Sequence, residues 1–286
     1  MDNLHKNESH LNFLKDLPKT GSGTKSGNML RQYWHPLCLS EDLRDIPYGV
    51  RMLGEDLVAF RCGDGGLGLV GQFCPHRCTS LEYGQIKPSG LKCSYHGWTF
   101  DRRGNCIDMP LEPINSPLRN DIKHTWYPVE EWAGVVWCYM GADKANPPPL
   151  PKIDILARSD GKIVLSRGDI RNYNYLNFLE NFVDIGHSYV LHMIVPGIVP
   201  EDLKPYCDMS VDTDWRNIDF RVFETEFGLK NVIVHNTADP EGKYVNTWSL
   251  AFPTHFRFGG ILAGLPPDFT VDRREGGGML RIIDDT

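Results

Sequence analysis

Three cysteines and two histidines stand close together in the segment CPHRCTSLEYGQIKPSGLKCSYHGW, residues 74–98. Cys74-x-His76 is followed, after sixteen intervening residues, by Cys93-x-x-His96. Thiolates and imidazoles at this spacing suit either a tetrahedral zinc ion or a two-iron, two-sulfide cluster in which one iron takes both cysteines and the other both histidines. Donor order separates the two. Zinc sites of this composition usually pair like with like, whereas here each short motif supplies one thiol and one imidazole. The order therefore favours the cluster. Pro75, Gly84, Gly90 and Gly97 shape the surrounding loops and argue against four unrelated core residues.

A second constellation lies in NYLNFLENFVDIGHSYVLH, residues 174–192. Glu180, Asp184 and His187 are related by steps of four and three, so on a helix they share one face. His192 follows His187 by five residues and falls off that face. The two histidines can reach one metal only if the helix distorts or ends between them. Taken alone, this pair is weak evidence for a ligand set.

Together the two segments resemble the terminal oxygenase (alpha) components of Rieske non-haem iron, aromatic-ring-hydroxylating systems, in their phthalate dioxygenase and aromatic O-demethylase branch. CPHR, SLEYG and KCSYHGWTFD carry the first half of the resemblance and ENFVD-x-x-H-x-x-x-x-H the second. It implies that Cys74 and Cys93 bind one iron of a [2Fe–2S] cluster and His76 and His96 the other. It also implies that His187 and His192 bind a mononuclear Fe(II). Such an iron needs two histidines and a carboxylate, which leave open positions for O2 chemistry. Asp184 is expected to bridge a cluster histidine of a neighbouring subunit, His96 by the family pattern, to the iron-bound histidine. There its carboxylate would accept both ring N–H groups. Glu180 and Asn181 are either outer-shell residues of this iron or plain helix-face polar residues.

The family's third iron ligand is a carboxylate on a later helix. This chain ends at GGGMLRIIDDT, so the reading expects an incomplete C-terminus, with Asp284 or Asp285 as the less favoured substitutes. Cys78 departs from the family, which more often has glycine there. Ser94 and Tyr95 fill the interval where a disulfide partner would stand, so a buried, unpaired thiol is expected.

Strands and turns must hold these ligands. VRML, DLVAFR and LGLVGQF read as short strands between Gly/Asp turns, DRRGN as a hairpin turn, and GVVWCYMG as a further strand. GLGLVG at 66–71 fits a dinucleotide glycine pattern, but no helix follows it, so it reads as a hairpin. With no flavin or nicotinamide site visible, electrons are expected from a separate NAD(P)H-dependent reductase, with or without a ferredoxin. His35, His124, His235 and His255 stand alone and read as core or surface residues, and the seven tryptophans as core.

The domain reading is a flexible tail over 1–28, a Rieske domain over 29–145 and a catalytic domain over 146–286, with the boundary at the proline-rich ADKANPPPLPKI. In the second part, 172–195 has apolar residues near helical spacing, and RVFETEF, NVIVHNT, YVNTWSLAF, HFRFGGIL and MLRII read as strands. The expected fold class is α+β: an all-β module, then an antiparallel sheet packed with helices, of helix-grip type.

The 286 residues carry a net charge of −7, which argues against a nucleic-acid or anionic-membrane partner. No eighteen-residue apolar run or N-terminal signal segment is present, so a cytoplasmic protein is expected. The subunit-to-subunit electron route implied by the resemblance predicts a ring-shaped homo-oligomer, a homotrimer or larger, acting on a small aromatic substrate. Against the oxygenase stand a Rieske electron carrier with a non-catalytic second domain and a zinc-stabilised interaction domain.

Overall fold

β-branched and aromatic runs broken by X-Gly pairs generate most of the N-terminal architecture. The computed structural model describes residues 14–157, 159, 163–167, 170–184, 186–187, 219–236, 243–263 and 275–279. The chain divides into two compact units, residues 1–174 with 281–286, and residues 175–280. Among the described residues no helix is long and apolar enough to cross a membrane.

Ten strands build the first unit: β1 (Trp34–Leu39), β2 (Tyr48–Met52), β3 (Glu55–Arg61), β4 (Leu67–Gly71), β5 (Gln85–Lys87), β6 (Gly90–Lys92), β7 (Thr99–Phe100), β8 (Cys106–Asp108), β9 (Val129–Trp132) and β10 (Val135–Tyr139). They form three antiparallel sheets in the orders β1-β10-β9, β2-β3-β4 and β5-β6-β7-β8. Two hairpins turn on two residues of positive φ, Leu53-Gly54 between β2 and β3 and Ala133-Gly134 between β9 and β10. Positive φ at both central positions matches the right-handed twist of the flanking strands. The DRRGN turn between β7 and β8 is also present. Asp101 Oδ1 accepts the N–H groups of Arg103 and Asn105 at 2.8 and 2.9 Å, and Gly104 takes φ 70°.

Val58, Phe60, Val70, Leu81, Leu91, Trp98, Phe100 and Met109 form an apolar core that also contains Cys74 and Cys93. The strands that carry the ligand loops are thus fixed from beneath by burial, the dominant favourable term in folding.

Residues 19–28, expected in a flexible tail, are ordered. Helix α1 (Lys25–Leu30) starts at Thr24, whose Oγ1 accepts the Gly27 N–H at 3.0 Å. A Cβ on Gly27 would lie 2.2 Å from the Gly21 carbonyl oxygen. The Gly/Ser/Thr composition that resembles a linker therefore serves a capped helix start and a close backbone approach. Arg31, 6% exposed, fastens this segment through bonds to the Thr20 and Leu53 carbonyls and a 2.6 Å ion pair with Glu55.

The first unit also contains two one-turn helices, α2 (Leu118–Asp121) and α3 (Asp154–Ala157). In the second unit, helix α4 (Tyr175–Val183) packs on a five-stranded antiparallel meander. Its strands are β11 (Asp219–Thr225), β12 (Gly228–Asn236), β13 (Lys243–Ala251), β14 (His255–Ala263) and β15 (Glu275–Met279), in sequence order. Tyr175, Leu179 and Phe182 form the buried face of α4, and Phe178 and Phe182 both meet Phe256 of β14. The N-terminal β-sheet region is thus followed by a mixed α+β region, as expected.

The last described strand pairs EGGGM with β14, from His255↔Met279 to Gly259↔Glu275, and the strand expected at MLRII lies, beyond Met279, outside the described residues. Glycines have low strand propensity, and here backbone pairing to β14 overrides it. The helical reading of 172–195 stops in the described residues at Val183, and Gly186-His187 lie in a turn.

Candidate metal centre

Cys74 and His76 lie in the connection from β4 to β5, and Cys93 and His96 in the tight turn from β6 to β7. Each loop is closed in the same way. The residue four after the cysteine, Cys78 or Gly97, donates its N–H to that cysteine's carbonyl, at 2.8 and 3.1 Å. Each cysteine N–H in turn donates onward, Cys74 to the Thr79 carbonyl and Cys93 to that of Trp98. Both closing residues have positive φ, 55° at Cys78 and 79° at Gly97. The first loop is also held by Gln72, whose Nε2 reaches Ser80 Oγ at 3.1 Å, and by Ser80, which caps the 3-10 turn 81–83.

The four donors sort by type. The Cys74 and Cys93 thiols are 1% and 3% exposed and interact with each other, whereas His76 and His96 are partly exposed, with ring centroids 4.6 Å apart. Among the described residues no three His, Cys, Asp or Glu side chains can share one metal ion. The arrangement is two pairs of donors, which fits two irons with one pair each.

Burial pushes the Cys74 thiol up to about 12, reinforced by the Cys93 thiol, while the His76 and Arg77 N–H groups aimed at its sulfur pull it down. Such a thiol ionises when a cation replaces its proton, and the same N–H groups then stabilise the thiolate. His96 is held below the ordinary imidazole value, by desolvation first and then by His76 and Arg77. A neutral imidazole is the ligand form of histidine.

Cys78, expected to be buried, is exposed. The frequent burial of free cysteines does not extend to this position, because a left-handed loop residue here turns its side chain to solvent. Sequence reasoning also missed the aromatic cover of the imidazoles. Trp98 stacks on His76 with centroids 4.6 Å apart and planes 6° apart, and the Tyr95 ring lies 3.7 Å from that of His96. Their positions, one before and two after His96, were the available signal.

In the second unit, Asp184 and His187 follow directly on α4. His187 Nδ1 donates to the Asp184 backbone carbonyl. Asp184, expected to bridge through its carboxylate, is an exposed residue. The turn brings the carbonyl to the ring once the helix has ended at Val183. Asn231 of β12 fixes that end, its Nδ2 donating to the Val183 carbonyl at 2.9 Å. Glu180 and Asn181 are exposed. His192, Asp284 and Asp285 lie outside the described residues.

The lone histidines divide as expected where they are described. His35 is fully buried, with Nε2 donating to the Leu30 carbonyl at 2.8 Å, and His124 Nε2 meets the Gly71 carbonyl at 2.7 Å. GLGLVG forms β4 and its preceding turn, with no helix after it.

Residues 33–118 match the Rieske [2Fe-2S] domain family. The chain is 41% identical over 195 residues to the phenoxybenzoate dioxygenase subunit alpha of Ectopseudomonas oleovorans, covering 64% of this chain and 47% of that one. It is 41% identical over 169 residues to the phthalate 4,5-dioxygenase oxygenase subunit of Pseudomonas putida, covering 58% and 38%. The chain thus spans about half or less of the length of these curated relatives. Dicamba monooxygenase bound to dicamba shares the fold, with a TM-score of 0.67 at 21% identity over 87% of this chain and 72% of that one.

Proposed function

Because the chain belongs to the alpha subunits of the Rieske-domain aromatic-ring-hydroxylating oxygenases, we propose that the whole protein uses O2 and reductase-supplied electrons to hydroxylate or O-demethylate an aromatic compound. The observation that carries this reading is the coexistence of the paired Cys/His frame with the Asp184–His187 turn.

When bound, the [2Fe–2S] cluster supplies one-electron storage and the mononuclear iron supplies O2 activation. The residues of this chain provide position and polarity. The buried Cys74 and Cys93 would hold one iron of the cluster, and the partly exposed His76 and His96 the other. His187, with Nδ1 tied to the Asp184 carbonyl, would hold the mononuclear iron, with His192 as its proposed companion. The exposed Asp184 carboxylate is open to a ring N–H from His96 of a neighbouring subunit, which supports the inter-subunit route. A homotrimer or larger ring, a cytoplasmic location and a helix-grip arrangement of the second domain belong to the same proposal. So do the domain bounds 29–145 and 146–286.

The test is metal content with oxygen uptake. The oxygenase reading expects more iron per chain than the cluster holds, and substrate-dependent O2 consumption with a reductase. A cluster spectrum without the additional iron in the full-length protein would leave a Rieske electron carrier.

A further inference from the structure

The two imidazoles of the cluster frame are covered by rings of opposite character. Tyr95, beside His96, is 61% exposed, whereas Trp98, flat against His76, is 6% exposed and belongs to the apolar core. Trp98 is also anchored through its backbone, since its carbonyl accepts the Cys93 N–H at 2.8 Å. One residue thus ties the backbone of a cysteine ligand and shields one ring face of a histidine ligand.

We propose that Trp98 is a positioning residue that sets the reduction potential of the cluster through His76. The indole fixes the imidazole plane and occupies a face that water would otherwise solvate. An oxidised cluster with two thiolates and two neutral imidazoles carries no net charge, and accepting one electron makes it an anion. Excluding water from one face disfavours the anion and holds the potential down. Opening that face raises it. The inference rests on the Rieske reading of residues 33–118 and not on the oxygenase activity.

The experiment is an anaerobic redox titration of the purified chain with dithionite and mediator dyes, followed by the cluster's visible band. Pulsed EPR of the reduced cluster then reads its histidine nitrogen couplings. Trp98→Leu is expected to keep iron and acid-labile sulfide while shifting the reduction equilibrium upward by three- to tenfold, tenfold being ~59 mV for a one-electron couple. One of the two histidine couplings should change with it. Trp98→Phe, which keeps a flat ring, should stay near the wild-type potential. Trp137→Phe, at a buried tryptophan of β10, should leave potential and couplings unmoved.

An intact Trp98→Leu cluster at the wild-type potential would overturn the proposal, as would equal shifts in the Leu and Phe variants. If Trp98→Leu does not assemble a cluster, Trp98→Phe decides. Wild-type couplings there support the stacking role, and loss of the cluster there too reduces Trp98 to core packing. Absence of a Rieske spectrum in the wild-type chain would defeat the domain reading instead.

Discussion

In the first ligand loop the closing residue is Cys78, and in the second it is Gly97; both have positive φ and both return an N–H to their loop's cysteine. The loops therefore share a backbone turn but not the residue that makes it. Their surroundings account for the difference. A Cβ on Gly97 would lie 2.9 Å from Pro110 Cγ and 3.1 Å from Lys92 Cε, whereas the Cys78 side chain stands in solvent. Left-handed backbone alone costs a non-glycine residue about 1–2 kcal/mol, which a fold can absorb. Left-handed backbone combined with a crowded Cβ requires glycine.

The largest effect that would break this comparison is loss of the cluster itself. Cys74→Ser or Cys93→Ser should abolish the visible absorption and lower the melting temperature, because a ligand set absent from the unfolded chain makes binding energy part of folding energy. If either variant kept a normal Rieske spectrum, the paired-donor assignment would be wrong.

Acid sensitivity of the scaffold must be separated from that of the loops. Burial lowers the His35 pKa from 6.5 to about 4, so the fold holds this ring neutral. The resulting stability is complete above pH ~6.5 and is lost as pH falls through the folded value. At 1.36 kcal/mol per unit, the window between ~6.5 and ~4 is worth about 3 kcal/mol. His35→Gln should flatten denaturant-measured stability across that range, and an unchanged slope would clear His35.

Gly97→Ala comes next, with an expected destabilisation of about 1–3 kcal/mol from strained φ and the Pro110 contact. Denaturant midpoints measure it. The smallest change is at the matching position. Cys78→Gly should stabilise by up to about 1 kcal/mol, and both it and Cys78→Ser should assemble the cluster. A Cys78→Gly variant as damaging as Gly97→Ala would show that the loops are not equivalent, and lost absorbance in Cys78→Ser would give the thiol a role.

Much of the ligand frame was legible because its information is local. The spacing of Cys74, His76, Cys93 and His96 places them in two loops, and X-Gly pairs and DRRGN mark the hairpins that hold those loops. Less legible were features decided by tertiary neighbours. Exposure of Cys78 depends on where a left-handed residue points, and stacking of Trp98 on His76 depends on two loops meeting. The order in residues 19–28 depends on Gly27 packing against Gly21 and on Arg31 reaching Leu53 and Glu55. The end of α4 at Val183 is held by Asn231, 48 residues away in sequence. In the GGG run of β15, strand character resides wholly in the partner strand.

Pro110, against which Gly97 is seated, belongs to a segment braced by a residue that binds no metal. Arg119 Nη2 donates to the carbonyls of Met109 and Glu112 at 2.7 and 3.1 Å, drawing that stretch into a rigid buttress beside the Cys93 loop. The wall behind the second loop thus depends on a side chain outside the Cys/His frame, and loss of the Arg119 guanidinium would loosen that wall while Cys74, His76, Cys93 and His96 were all still in the sequence.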